Sequence, residues 1–182
     1  MNIIANLTPE ECQGFLALFP YIIDGKYIFA DQEIYSKCEL NNHLQMLFDL
    51  EDTGIIKHVS SPVSLTINTT MKQDSAHRSE GVSFRTISNT LTIIKYYKIK
   101  MSNGQRDFDL TPFANKIRCV DLTKVGKEIF TALVPLIDYK DPEFVSESSK
   151  YLGYIAEYFK NRMIGDIKIE ITDRDSDSYY RK

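Results

Sequence analysis

MLFDLEDTGIIKHV, residues 46–59, packs a helix, its stop signal and a strand into one run. Leu40, Leu44, Leu47, Phe48 and Leu50 recur mostly at spacings of three and four, so the sequence predicts a helix over Leu40–Asp52. Gly54 stands where a left-handed residue ends a helix. Ile55–Val59 then reads as a strand. Asp121–Phe130, DLTKVGKEIF, is its mirror: a strand end that turns directly into a helix. Lys116–Val120 supplies that strand, and Asp121 or Thr123 supplies the cap. Val125, Ile129, Phe130, Leu133 and Ile137 give the helix one apolar side, although Pro135 disfavours its last turn.

Working outward, Thr8-Pro9-Glu10-Glu11 is a helix start with a capping box and a first-turn proline, and Pro20 ends that helix. Asp24-Gly25 lies between the apolar runs Tyr21–Ile23 and Tyr27–Phe29 and signals a hairpin. Glu33–Cys38 reads as a helical turn. Between the two joints, Ser60–Gly81 is polar and irregular, with strand character at Val63–Asn68. Gln73–Gly81 reads as a mobile loop. Leu91–Met101 predicts one strand, Asn103-Gly104 a turn, and Phe108-Asp109-Leu110 an antiparallel return. Downstream, Asp141-Pro142-Glu143 opens a third long helix that Gly165 closes. Asp166–Thr172 alternates as a half-exposed strand. Asp173–Lys182 is a charged tail.

Helix, short hairpin, helix ending at a glycine, strand, long variable segment, strands, helix: this is the layout of a winged helix. The expected fold class is therefore α+β. The expected organisation is a winged-helix-like domain over 1–138 with a long wing loop, an appended helix and strand over 139–172 packed on it, and a tail over 173–182.

Three segments carry a resemblance. LFDLEDTGII (Leu47–Ile56) followed by VDLTKVGKEIFTAL (Val120–Leu133) is similar to bacterial pairs in which L-x-x-L-x-x-x-G-L-I precedes L-T-x-x-G-x-x-L. Together with NLTPEECQGFLALF (Asn6–Phe19), they resemble the C-terminal part of bacterial domain-of-unknown-function family 2806. The resemblance to the abortive-infection Abi-alpha proteins is more distant. It covers roughly residues 3–138 and leaves the long loop and the Gly165–Thr172 strand unmatched. In that family a helical region precedes the part matching Leu7–Phe19, so the resemblance implies a C-terminal fragment of a longer protein. It transfers no catalytic residue.

Composition narrows the function classes. The 182 residues carry a net charge of −3 and 43% hydrophobic residues, a globular balance without the basic excess of a nucleic-acid coat. Cys12, Cys38 and Cys119 contain no C-x-x-C and read as reduced, buried thiols of a cytoplasmic protein. No signal peptide and no apolar stretch long enough to span a membrane is present in this sequence. His43, His58 and His77 form no zinc motif, and P-loop, G-x-S-x-G and G-x-G-x-x-G patterns are absent. Asp173, Asp175 and Asp177 lack the glycine and the later glutamate of a calcium loop. No catalytic residue, cofactor or metal ligand is therefore assigned.

Two binding surfaces remain. The helix Leu40–Asp52 takes the recognition-helix position yet contains no Lys or Arg, while Glu39, Asp49, Glu51 and Asp52 would repel phosphate. Asn41, Asn42 and Gln45 are its base-reading types. Positive charge lies instead at Lys95, Lys98, Lys100 and Arg106 around the Asn103-Gly104 hairpin, with Lys72, Arg78 and Arg85 near the long loop. That group is the candidate nucleic-acid contact, weighed against a charged outer face that merely blunts a strand edge. The third helix is apolar over more than one stripe, which leaves Tyr154 and Tyr158 as a candidate interface for a protein partner or a second copy. The favoured expectation is a non-catalytic protein-interaction or regulatory module, from a phage-defence-type protein by resemblance. The alternative is a DNA-binding regulator using the basic hairpin and loop.

Overall fold

A computed structural model describes residues 7–73, 77–102, 105–108 and 112–174, with backbone alone for 99–102 and 105–108. The chain is α+β, with antiparallel sheets. It begins with α1 (Pro9–Ala17), closed at its start by the Thr8/Glu11 capping box, and a 3-10 turn at Phe19–Tyr21. β1 (Tyr27–Phe29) follows a turn in which Asp24 and Gly25 both have positive φ, 51° and 65°, as a primed hairpin turn requires. The expected hairpin is one bridge long, Ile23 to Tyr27, because the 3-10 turn takes the preceding residues and β1 finds its partner elsewhere.

Next come α2 (Gln32–Tyr35) and α3 (Leu44–Asp52). The predicted Leu40–Asp52 helix is divided: Glu39–His43 is 3-10, and His43 at φ −103°, ψ 14° leaves helical geometry before α3 starts. Then follow β2 (Ile56–Lys57), β3 (Val63–Thr66), β4 (Thr70–Gln73), β5 (Arg78–Arg85), β6 (Asn89–Tyr97), β7 (Ile99–Ser102), β8 (Gln105–Phe108) and β9 (Lys116–Leu122). The chain continues through α4 (Lys124–Leu133), α5 (Pro142–Lys160) and β10 (Asp166–Asp173).

β9 is the hub of the first sheet. β1 lies along one edge, with Ile28 opposite Val120, and β2 and β3 lie along the other, with Ile56 opposite Leu122 and Leu65 opposite Ile117. The second sheet has the order β10-β6-β5-β4, and β7 and β8 form a separate two-stranded ladder. One continuous core, from Phe15 and Phe19 through Ile28, Leu50, Ile55 and Leu122 to Leu152 and Phe159, joins helices and sheets.

The two joints quoted from the sequence meet in space. Gly54 at φ 76° releases α3, and the Ile55 carbonyl then accepts the Thr123 amide at 3.0 Å. The Thr123 hydroxyl donates to the Gly54 carbonyl at 2.7 Å while also accepting the Gly126 amide at 3.1 Å. One threonine thus caps α4 and fastens it to the turn that ends α3. Gly126 makes the approach possible: a Cβ there would lie 2.1 Å from the Ile55 carbonyl oxygen.

The long variable segment departs from expectation. Residues 74–76 fall outside the described residues, but Arg78–Gly81 is strand, paired with Tyr97–Ile94. Its polarity hides the alternation, because the inward face of β5 carries Arg78 and Glu80 before it reaches Val82 and Phe84. Glu80 takes hydrogen bonds from the hydroxyls of Tyr97 and Thr69, and Arg78 lies over the Tyr97 ring. The predicted Leu91–Met101 strand is two strands, broken at Lys98. The Asn103-Gly104 turn, Asp109-Leu110 and the tail beyond Arg174 lie outside the described residues. Residues 139–172 supply α5, which packs on β6, α2 and the Phe19–Tyr21 turn, and β10, which pairs with β6 along eight residues. No helix of the described residues is long and apolar enough to cross a membrane.

Candidate interaction surfaces

α3 buries Leu47 and Leu50 and turns its other side outward. Asn41, Asn42, Gln45, Asp49 and Asp52 are exposed, and Leu44, 43% exposed, sits among them. The Gln45 side-chain amide donates to Asp49 at 3.0 Å, so the residue best able to read a base is already engaged. Glu51 folds back instead of facing out. Its carboxylate accepts the amides of Val59 at 2.9 Å and Ser60 at 3.2 Å and the Ser60 hydroxyl at 3.1 Å. Burial pushes this carboxyl up, but the amides of Val59 and Ser60, the Ser60 hydroxyl and the His58 amide outweigh it and hold it below the ordinary glutamate value. His58, just before these amides, has φ 70°, an unusual conformation for a residue with a side chain. Nothing in the sequence pattern marks Glu51 for this role, since its partners are defined only once the chain turns at Gly54.

Of the proposed basic group, Lys95 does not lie at the surface. Lys95 is 2% exposed. Its ammonium lies 3.5 Å from the Pro112 carbonyl and 5.1 Å from the centre of the Tyr97 ring. It is interior, so it cannot hold a phosphate backbone, and this corrects its placement among the nucleic-acid contacts. The physical reason is strand parity: Asn89, Leu91, Ile93, Lys95 and Tyr97 all face inward. Lys98 is exposed beside Tyr96 and lies 3.9 Å from Asp166. The side chains of Lys100 and Arg106 fall outside the described residues; along the backbone, Lys100 is the ladder partner of Asp107 and Arg106 of Met101. Arg85 is held by Asp24 at 2.8 Å, and Lys72 is exposed on β4.

The broad apolar face of α5 is core. Tyr158 is 5% exposed, donates to the Lys116 carbonyl at 3.3 Å and carries the Arg162 guanidinium 3.7 Å above its ring. Arg162 in turn grips Glu33 through two bonds of 2.7 and 2.8 Å. Tyr158 is therefore not an available interface residue. Tyr154 is half-buried against the same core. One turn earlier, the fully buried Tyr151 hydroxyl accepts the Phe29 amide at 2.7 Å and donates to the Phe29 carbonyl at 3.2 Å. It satisfies the edge of β1 at Phe29, where no further strand follows among the described residues.

Cys38 and Cys119 are buried as expected, whereas Cys12 is exposed on α1. Burial, then the charge of Asp121 and its hydrogen bond, pushes the Cys119 thiol up to about 12, and burial raises Cys38 as well, so both stay protonated near neutrality. Among the described residues no three of His, Cys, Asp and Glu converge as metal ligands would. Lys124, Lys127, Glu128, Thr131 and Ala132 line a shallow open depression along α4, built from one helix alone. No protein family, curated protein or solved structure matches the chain.

Proposed function

We propose that the chain is a non-catalytic, winged-helix-like protein-interaction or regulatory module. Its partners are a protein or a second copy rather than nucleic acid. The strand order β1-β9-β2, with α1–α3 threaded before β2 and a long insertion before β9, supports the winged-helix reading. The observation that carries the functional reading is the outer side of Glu39–Asp52. It holds exposed carboxylates and amides, an exposed leucine and no cation, a face that phosphate repels and a protein partner can cover. The setting, a cytoplasmic bacterial defence-type protein, is carried by the motif resemblance alone.

The test is fluorescence anisotropy of labelled duplex and single-stranded DNA titrated with the whole chain at low and physiological salt. The expected result is no saturable binding in either form. Saturable, salt-dependent binding contradicts the proposal. The second reading, a DNA-binding regulator using the hairpin, draws on the exposed pair Tyr96 and Lys98. It would be established by such binding together with its loss on replacing Lys98, Lys100 and Arg106 by alanine.

A further inference from the structure

β10 is an edge strand without bulge or proline, and the charges that would blunt it, Lys168 and Glu170, are of opposite sign. Among the described residues its only strand partner is β6, and the eight-residue register from Asp166↔Tyr96 to Asp173↔Asn89 runs without a bulge. No proline or glycine interrupts it, and among the described residues its other edge has no strand partner for its backbone donors and acceptors. One face carries Ile167, Ile169 and Ile171, half-buried or exposed. The other carries Lys168 and Glu170, bridged to each other at 3.1 Å.

We infer that β10 pairs antiparallel with β10 of a second copy, in the register centred on Ile169. The chain's own pattern selects that register. A one-residue slip would set isoleucines against charges. Centring on Lys168 places Lys168 opposite Lys168 and Asp166 opposite Glu170. Centring on Glu170 places Glu170 opposite itself. Centring on Ile169 places Lys168 of each copy opposite Glu170 of the other, twice by symmetry, and Ile167 opposite Ile171 on the other face. Both faces are then complementary, and the second sheet continues through both copies as an isologous interface. The contact is small, so the dimer is reversible and concentration-dependent. This inference stands apart from the winged-helix assignment, and the oligomeric state tests it without reference to DNA.

Sedimentation velocity of the full chain, over a concentration series reaching the millimolar range, should show a reversible monomer–dimer equilibrium. Lys168→Glu or Glu170→Lys, each turning two attractive pairs into two repulsive ones, should weaken the dimer about 30-fold. The double variant Lys168→Glu/Glu170→Lys should restore it. Mixing the two single variants should also restore association, because each then faces its complement, and this recovery shows that the single variants are folded. A monomer at every concentration would overturn the inference. So would a dimer indifferent to the single reversals, or single variants that fail to associate on mixing.

Discussion

Replacing Gly126 by alanine places a methyl group where the chain has no room. The new Cβ would lie 2.1 Å from the Ile55 carbonyl oxygen and 3.1 Å from its carbon, both backbone atoms. The joint must open by about 1 Å, and the cost of such overpacking is about 1–3 kcal/mol. Opening also stretches the Thr123 amide bond to Ile55, now 3.0 Å, and the Thr123 hydroxyl bond to Gly54, now 2.7 Å, for about 1 kcal/mol more. Against this, alanine favours the helix by about 0.5–1 kcal/mol. The net expectation is a loss of about 1–3.5 kcal/mol, seen in a chain of this length as a fall of about 2–14 °C in Tm. Gly153→Ala supplies the matched control. It lies in α5 with nothing within 4 Å of the added Cβ, so only the propensity gain applies, about 0.5–1 kcal/mol of stabilisation. Urea titration of both variants by circular dichroism reads the two signs. Equal shifts, or a Gly126→Ala protein at least as stable as the parent, would refute the claim that the joints touch.

Tyr151→Phe removes a hydroxyl that both donates to and accepts from Phe29, so it should cost about 1.5–3 kcal/mol and speed exchange of the Phe29 amide measured by NMR. Glu51→Gln should cost about 1–2 kcal/mol near neutrality, checked by denaturant titration across pH. Because the folded carboxyl lies below its unfolded value, the Glu51 contribution is fully present above the ordinary carboxylate range. It is lost as pH falls through the depressed folded value, so parent and variant should converge in acid.

Local signals were legible. The Thr8/Glu11 box, the Thr123 and Asp141 caps and the Gly54 stop each depend on residues within a few positions, and each appears where the pattern puts it. The second sheet was not legible as a sheet. Its β10–β6 pairing joins distant parts of the chain, and β5 turns Arg78 and Glu80 inward, so the apolar alternation that marks a strand is broken by its own buried polar partners. Lys95 misled for the complementary reason. Its charge suggested a surface, whereas its parity with Leu91, Ile93 and Tyr97 placed it inside. Tyr158 read as surplus apolar area because its cover, Arg162 held by Glu33, comes from beyond the helix and from α2. Asn41, Asn42, Gln45, Asp49 and Asp52 are exposed as the helical period leaves them, but Leu44, placed on the apolar face by that period, is exposed too, and Glu51 folds back onto Val59 and Ser60.

The most direct test of the functional account follows the backbone amides of Glu39–Asp52 by NMR while duplex DNA is added at low salt, where electrostatic binding is strongest. These amides should not shift. Shifts concentrated on this segment that saturate with DNA and disappear as salt is raised would contradict the proposed function.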